Sequence, residues 1–400
     1  MSDRDYYCAM KFRMMKIDME RKLTYHCDPA APQNIDFEWL ELNSGQLFNN
    51  PQVVNERQMM LENTRNSSCE QNCFKAEDVG AISPRILRQG YIKTHSDIIA
   101  EPEIIDLTLG SDCNLTCSYC LKEYSSAWRR DLLTNGNYDT VKIDDDRFTI
   151  NVKDLVINRN SQPVRVNTNH FQLLLNETQI LSKSLKTLVI TGGEPLLNNS
   201  LFDILDKVSD VPDIKIFTGL GVDHKRFSKI VEKLKKYSNI RLSVSAESAE
   251  KIYEFNRYGA KWDDFVTKTN ILEKSDIKFG FHSTLSNLTI IRLPKFYEIF
   301  KNKISSYDLV YNPDFMAVYV LDDHTKQRII DNLNTLDSSL SDWQHKSLSK
   351  KFIIQSMQAE PTQKQRDNIR EFLKEFTRRR PDLDVTIYPK EFLDWMDYVV

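Results

Sequence analysis

The sequence predicts an α/β fold built on a parallel sheet, and three observations support this prediction. Between residues 100 and 322, short β-branched and apolar runs alternate with amphipathic stretches, which is typical of strands joined by right-handed helical crossovers. Four of the seven cysteines precede residue 95, and charged, helix-like sequence follows residue 322. We therefore expect a small cysteine-rich α+β domain at 1–95, the α/β region at 100–322 and a helical extension at 323–400.

Six runs predict the strands of this sheet: 104–109, 188–190, 214–217, 241–244, 278–282 and 317–321. Each is rich in apolar or β-branched residues and is bounded by polar sequence, as expected for strands buried in a parallel sheet. Amphipathic stretches such as 226–237 separate most of them. Because ligands of such folds bind at the carboxyl ends of the strands, we expect the functional site at that edge.

The composition of the chain excludes several classes of protein. Of its 400 residues, 40% are hydrophobic and 28% are charged, which excludes a disordered, collagen-like or coiled-coil chain. The 54 Lys and Arg residues balance 57 Asp and Glu residues, which argues against a nucleic-acid partner or an anionic membrane. The first residues are charged, and no run approaches the about 18 apolar residues of a membrane span. We expect a cytoplasmic protein with reduced cysteines.

Three cysteines form the strongest motif of the chain. Cys113, Cys117 and Cys120 have the spacing C-x3-C-x2-C, and in a reducing compartment such a cluster indicates metal binding or catalysis rather than disulfides. Three thiolates can hold three irons of a [4Fe–4S] cluster, which normally takes four cysteines. One iron would then stay open to a ligand.

This triplet resembles the signature of the radical S-adenosylmethionine (SAM) superfamily, C-x3-C-x-aromatic-C, with Tyr119 as the aromatic residue. A second motif supports the resemblance, because Gly192-Gly193-Glu194-Pro195 follows a strand-like run and matches the Gly-Gly-Glu-Pro motif of that superfamily. The resemblance implies a partial (β/α)6 barrel and an oxidoreductase of the radical SAM type.

The chemistry is also implied by the resemblance. SAM would bind the open iron through its amino and carboxylate groups. A reductant such as flavodoxin or ferredoxin would supply an electron, and cleavage of SAM would give a 5′-deoxyadenosyl radical that abstracts hydrogen from the substrate. Cys113, Cys117 and Cys120 would ligate the cluster, Tyr119 would pack near the adenine, and the Gly-Gly-Glu segment would hold the methionyl part of SAM.

Polar residues at strand ends are further candidates for SAM binding. Thr218 ends the third predicted strand, and Ser243, Ser245 and Glu247 lie on or just after the fourth, where the resemblance implies contacts to the ribose and carboxylate of SAM. Arg257, one helix further on, could pair with the carboxylate as a bidentate donor. The alternatives are polar residues that merely end strands and, for the arginine, an ordinary surface position.

The remaining four cysteines precede the expected barrel: Cys8, Cys27, Cys69 and Cys73. Four thiolates could complete a second [4Fe–4S] cluster or a zinc site, and buried free cysteines are the third alternative. Their surroundings, with Arg57 and a closing C-x3-C pair, resemble the twitch and SPASM auxiliary-cluster regions of radical SAM proteins. Those regions commonly follow the barrel, whereas here the cysteines precede it.

The segment between the two SAM motifs predicts an insertion at 128–170. Its Asn135-Gly136-Asn137 turn signal and the alternation over 141–152 predict a β-hairpin, and we expect the insertion to form part of a substrate lid. After the expected barrel in the sequence, residues 362–380 predict an amphipathic helix that ends before Pro381. Its last three residues are arginines, which the helix dipole favours at the carboxyl end of a helix. We expect a last helix within 391–400.

A peptide or protein is the predicted substrate, because auxiliary-cluster members of the superfamily often modify peptides. A nucleotide, sugar or other small metabolite is the alternative. A hypothesis of a different class is a non-catalytic iron–sulfur or zinc protein, in which both cysteine groups only brace the fold. That hypothesis needs a fourth protein ligand beside the triplet, for which Asp112 and His170 are the candidates.

Overall fold

The structure is a computed structural model, and it describes residues 6–27, 30–78, 83–88, 98–150, 168–300, 303–335 and 350–399. The chain divides into two compact units. The first comprises Met1–Gly110, Ser161–Ile216 and Tyr237–Arg241, and the second comprises Ser111–Asn160, Phe217–Lys236 and Leu242–Val400. Each unit is built from segments that are distant in sequence.

The strands, in chain order, are β1 (Met14–Asp18), β2 (Leu23–Tyr25), β3 (Gln33–Asn34), β4 (Ile104–Thr108), β5 (Thr116–Cys117), β6 (Thr187–Thr191), β7 (Asp213–Thr218), β8 (Ile240–Ser245), β9 (Arg257–Tyr258), β10 (Lys278–Leu285) and β11 (Ile304–Leu309). The α-helices are α1 (Phe37–Leu42), α2 (Pro51–Leu61), α3 (Lys75–Asp78), α4 (Pro84–Arg88), α5 (Ser126–Asn135), α6 (Thr168–Leu181), α7 (Leu201–Lys207), α8 (His224–Leu234), α9 (Glu250–Asn256), α10 (Trp262–Glu273), α11 (Leu293–Phe300), α12 (Asp323–Thr335), α13 (Lys350–Ser356), α14 (Gln363–Arg378) and α15 (Lys390–Trp395).

The first unit contains most of the sheet, in the strand order β3-β2-β1-β4-β6-β7-β8, with only the first residues of β7 and β8. Strands β1, β4, β6 and β7 run parallel, while β2 and β3 add an antiparallel edge. The fully buried side chains of Ile105, Leu188 and Ile214 show why these runs form interior strands. Because β1 pairs with β4, residues 14–34, which the sequence assigned to a separate cysteine-rich domain, extend this sheet.

The second unit contains the carboxyl ends of β7 and β8, followed in the sheet by β10 and β11, and the small antiparallel pair of β5 with β9. Helices α8 to α15 and α5 also belong to it. An aromatic cluster fixes the start of the insertion on α14, because Trp128, Tyr138 and Phe148 pack against Phe372 and Phe376. The predicted helix over 362–380 is α14, and Thr362 closes its first turn with a capping box.

The sixth predicted strand, 317–321, is wrong. This apolar run is buried, but it forms tight turns, in which the Val320 N–H donates to the Ala317 carbonyl at 2.9 Å. The sixth parallel strand is instead β11, where buried Tyr307 and Leu309 alternate with the more exposed Ser306 and Asp308. Alternation indicated this strand, whereas a continuous apolar run only indicated burial.

The predicted hairpin over 141–152 is also wrong for its described part, since residues 141–150 contain no strand. Side-chain contacts replace the ladder there: the buried Lys122 ammonium donates to the Asp146 carbonyl at 2.8 Å and to the Thr149 carbonyl at 2.8 Å. Residues 151–167 of the insertion lie outside the described residues. The mixed α/β fold with a mostly parallel sheet is confirmed, while the partial barrel and the lid stay predictions.

Candidate functional site

The cysteine triplet lies in the second unit on a loop, residues 112–120, which we call the cysteine loop. Its backbone is held from several directions: the Trp128 indole N–H donates to the Cys117 carbonyl at 2.8 Å, and the Cys113 N–H donates to the Ser126 hydroxyl at 3.1 Å. Cys117 itself belongs to β5, where it pairs with Arg257 of β9. The loop is therefore shaped by the start of α5 and by the segment after α9.

Hydrogen-bond donors lie near two sulfurs of the triplet, in which Cys117 is buried while Cys113 and Cys120 are partly exposed. The Leu115 N–H lies 3.5 Å from Cys113 Sγ, and Arg257 Nη1 lies 3.9 Å from Cys117 Sγ. Burial raises the pKa of the Cys117 thiol well above its ordinary value and the pKa of the Cys120 thiol to about 12. These thiols are protonated in the protein alone, so metal binding must release their protons.

A buried ion pair lies beside the triplet. Arg257 Nη2 and Nε donate to the Glu247 carboxylate at 2.6 and 3.1 Å, and the two side chains are 4% and 0% exposed. The Tyr119 hydroxyl donates to the same carboxylate at 3.1 Å. The structure thus brings together three residues that the sequence predicted separately for SAM, and Arg257 is not a surface arginine.

One residue of this site was missed by the sequence analysis. The carboxamide of Asn256, a fully buried residue, accepts from the Ser118 hydroxyl at 2.7 Å and donates to the Tyr388 hydroxyl at 2.9 Å. The main-chain carbonyl of Asn256 accepts from the Ser118 N–H at 2.8 Å. It thereby fastens the middle of the cysteine loop. The sequence feature that could have indicated Asn256 as a site residue is its position directly before Arg257.

The other predicted SAM residues of the second unit have different surroundings. The buried Thr218 hydroxyl accepts from the Leu220 N–H at 2.9 Å, which closes the turn after β7. Ser243 is buried on β8, and its hydroxyl has no hydrogen-bond partner among the described residues. Ser245, the last residue of β8, is partly exposed. A role in SAM binding stays a prediction for all three.

The Gly-Gly-Glu segment lies in the first unit, directly after β6. Gly192 has φ +146°, a left-handed conformation, and a Cβ built on it would lie 2.7 Å from the Gly110 carbonyl oxygen. The Gly193 N–H donates to that oxygen at 2.8 Å. Glu194 is buried and accepts from the Leu196 N–H at 3.1 Å. Both the close approach and the backbone angle require glycine at position 192.

We expect Gly192→Ala to displace this segment, because the added Cβ would clash with the main chain at Gly110. Neither main-chain segment can move away without breaking the hydrogen bond from the Gly193 N–H to the Gly110 carbonyl. The variant should lose about 1–3 kcal/mol of stability, measured by urea unfolding. Gly136→Ala is the matched control, since Gly136 has φ +80° but no atom within 4 Å of a Cβ. Equal losses in both variants would show that the close approach is unimportant.

The four N-terminal cysteines meet at one place in the first unit. Cys8 precedes a 3-10 helix leading into β1, and Cys27 follows β2. Cys69 precedes a π-helical turn that contains Cys73. All four are buried, and they line one cavity together with Lys11, His26, Ala30 and Arg85. Sequence spacing predicted a common site, and the structure brings the four thiols to a common cavity.

Charge and burial act on these thiols together. Burial raises the pKa of Cys8 above its ordinary value, and burial with the neighbouring thiols raises the pKa of Cys73 to about 11. The His26 ring is completely buried, and burial and the nearby Lys11 and Arg57 cations hold its pKa well below the usual range. The donor set, four thiols with a neutral imidazole, fits a thiolate-ligated metal group.

Within the described ranges, which include all seven cysteines, no group of three or more His, Cys, Asp and Glu side chains is arranged to hold a single metal ion. None of the helices in the part of the chain that the structure describes has the length and hydrophobicity of a membrane span. Of the proposed fourth ligands, Asp112 is exposed, and His170 stacks on Phe37 with ring centroids 3.8 Å apart.

Comparisons with known proteins point in one direction. The model of the radical SAM superfamily matches residues 107–298, which include the cysteine triplet, the Gly-Gly-Glu segment and the ion pair of Glu247 with Arg257. No curated protein matches the chain.

Three solved structures are similar to this chain, at low TM-scores. Native anSMEcpe with bound AdoMet is 15% identical over 58% of this chain and 58% of that chain, with a TM-score of 0.35. Streptococcus suis SuiB bound to precursor peptide SuiA is 14% identical over 83% and 69%, with a TM-score of 0.35. TYW1 with a lysine-pyruvate adduct bound is 15% identical over 71% and 82%, with a TM-score of 0.34.

The chain spans 58% of the length of the first of these structures. Because the TM-scores are low, the match to the superfamily model carries the conclusion. Residues 107–298, just under half of the chain, therefore match the radical SAM superfamily.

Proposed function

We propose that this enzyme cleaves SAM reductively at a [4Fe–4S] cluster held by Cys113, Cys117 and Cys120, and that the resulting radical abstracts hydrogen from a peptide or protein. The observation that supports this proposal most directly is the triplet itself, on a loop with donors to two of its sulfurs. A cluster with three protein thiolates keeps one iron open, and the superfamily match covers the whole loop.

The residues of the second unit would hold the cluster and prepare its surroundings. When bound, the cluster and SAM supply the radical chemistry. Arg257 directs a guanidinium N–H toward Cys117 Sγ, and Glu247 balances the charge of that guanidinium. Tyr119 donates to the Glu247 carboxylate and so keeps its ring fixed beside the loop. These contacts orient groups and exclude water around the thiolates.

In this proposal Glu194 and the two glycines before it bind the methionyl part of SAM, and Thr218, Ser243 and Ser245 bind its ribose and carboxylate. The buried Ser243 hydroxyl supports this, because it lacks a partner among the described residues and a buried hydroxyl normally has one. A cavity of about 260 Å³ opens next to the cysteine loop, lined in part by Asn114, Gly219 and Lys261.

The N-terminal cysteines form an auxiliary [4Fe–4S] site of the twitch type in this proposal. Its support is the convergence of Cys8, Cys27, Cys69 and Cys73 on one cavity and the order of elements around them. A cysteine, the β1–β2 hairpin, a second cysteine, helix α2 with Arg57 and the closing pair follow each other as in the regions that the sequence resembles. A zinc site is the competing possibility, and metal analysis of the purified protein separates them.

The test is release of 5′-deoxyadenosine after anaerobic reconstitution with iron and sulfide, in the presence of SAM and dithionite. We expect release by the wild-type protein and its loss in Cys120→Ala, with Cys73→Ala as the matched control that keeps the triplet. A fully iron-loaded wild-type protein that releases none, with or without added peptide, would contradict the proposal. Hydrogen transfer from deuterated peptide into the product then identifies the substrate class.

A further inference from the structure

We propose that His26 donates a hydrogen bond to the thiolate-ligated group of the auxiliary site and thereby tunes its reduction potential. This inference rests on the proposed auxiliary [4Fe–4S] cluster and assigns to it a residue outside its ligand set. The ligands in question are the four N-terminal cysteines: Cys8, Cys27, Cys69 and Cys73.

The first support is the position of the ring. His26 is 1% exposed and lines the cavity that the four thiols share. Neither Nδ1 nor Nε2 has a hydrogen-bond partner among the described residues. An imidazole ring carries at least one N–H in every protonation state, so a buried donor lies at this cavity. A buried donor without an acceptor is destabilising.

The second support is that the other polar groups of the cavity wall are committed elsewhere. The Lys11 ammonium donates to the Glu56 carboxylate and, at 2.9 Å, to the Ser68 hydroxyl. The Arg85 guanidinium donates bidentately to Glu77, at 2.6 and 3.0 Å. Of the polar side chains lining the cavity, His26 is therefore the one whose donors have found no protein acceptor within the described ranges.

The third support is that the ring is held in place. The centroid of the His26 ring lies 5.6 Å from that of the fully buried Phe48. The Arg57 guanidinium lies 4.2 Å from the same Phe48 centroid. The next residue, Cys27, has φ +134°, a strained conformation that persists only where the surroundings impose it. His26 and Cys27 thus reach the same cavity from consecutive positions.

A sulfur acceptor explains these observations together. Thiolate and sulfide sulfurs accept N–H donors, and such hydrogen bonds raise the reduction potential of an iron–sulfur cluster because they stabilise the more negative, reduced state. Lys11 and Arg85 supply positive charge around the site, but each is balanced by a carboxylate. The specific adjustment of the auxiliary potential then falls to His26.

The experiment uses the full chain with the triplet changed to alanine, so that only the auxiliary site remains. Reconstituted protein should contain about four irons and four sulfides. EPR-monitored redox titration should give a more negative potential for His26→Phe than for the parent, and His26→Gln, which keeps an N–H donor, should recover most of the shift. His170→Phe is the control, because it makes the same substitution at a ring stacked on Phe37.

The outcomes distinguish the inference from the proposal beneath it. Full iron content with an unchanged potential in His26→Phe would overturn the role of His26 and leave the cluster in place. Zinc or no metal in the parent would overturn the auxiliary cluster itself. Pulsed EPR with ¹⁵N-labelled histidine gives a second measurement: a weak nitrogen coupling supports the hydrogen bond, while the strong coupling of a directly bound nitrogen would make His26 a ligand and overturn the inference.

Discussion

Arg257→Met should destabilise the protein by about 3–5 kcal/mol, because it leaves the Glu247 carboxylate buried without a counter-charge. Both side chains of the pair are almost completely buried, and Cys117 loses its guanidinium donor as well. We expect a lower urea midpoint in the metal-free protein and loss of iron from the reconstituted one. Arg257→Lys should recover little, because an ammonium cannot reproduce the bidentate contact.

The double variant Arg257→Met/Glu247→Met is the informative partner of this experiment. Because it removes both charges, most of the lost stability should return, leaving a deficit of about 1 kcal/mol from the Tyr119 hydroxyl that loses its acceptor. Lys235→Met is the control for a surface pair, since Lys235 and Glu232 are 40% and 69% exposed, and it should change stability by less than about 0.5 kcal/mol. If Arg257→Met behaves like Lys235→Met, the buried pair is not a stabilising centre.

The metal-free protein should lose stability between pH 8 and pH 10, whereas the metal-loaded protein should not. An unfolded thiol ionises near its ordinary pKa of 9.0, while burial raises the folded pKa of Cys73 to about 11 and that of Cys120 to about 12. Between these values the unfolded chain releases protons that the folded chain retains, so the free energy of unfolding falls as the pH rises.

For each of these two thiols we expect the free energy of unfolding to fall by about 1 kcal/mol by pH 10. This is somewhat less than the about 1.4 kcal/mol per pH unit expected for a group that solvent does not screen. Cys8 and Cys117, whose pKa values burial also raises, add to the loss. Urea midpoints at several pH values measure it, and Cys120→Ser should reduce the slope. In the metal-loaded protein the thiols have already lost their protons. A metal-free protein that gains stability over this range would contradict the prediction.

Five of the six predicted strands are confirmed, while the parallel strand β1 was not predicted. The roles of the two cysteine groups and of the Gly-Gly-Glu segment stay predictions. Local signals were sufficient for the five strands, because runs of β-branched residues are visible within a few residues. The same local signals misplaced the sixth strand. The run 317–321 is more apolar than β11, yet it is buried as a series of turns. The feature that separates β11 from this run is the alternation of buried and exposed residues from Ser306 to Leu309.

The sequence alone did not predict which charged residues form ion pairs with each other. Arg257 and Glu247 were each predicted to contact SAM, which stays a prediction. The sequence did not reveal that the two side chains form an ion pair with each other. Likewise His26 lies in no motif, and its importance comes from its burial without a hydrogen-bond partner in the part of the chain that the structure describes. Burial and pairing depend on contacts distant in sequence, so a single sequence does not reveal them.

The pairing of β1 with β4 sets the minimum chain that can fold. The superfamily match begins at residue 107, inside β4, but β4 carries fully buried Ile105 and Leu107 and shares five register pairs with β1. A fragment cut at the start of the match would lose β1 and the first three residues of β4, including Ile105. The next interior strand, β6, would then lack most of its partner, and such an open edge recruits other chains and aggregates. The boundary of the superfamily match and the folding boundary therefore differ, and any expressible form must retain the hairpin between Cys8 and Cys27.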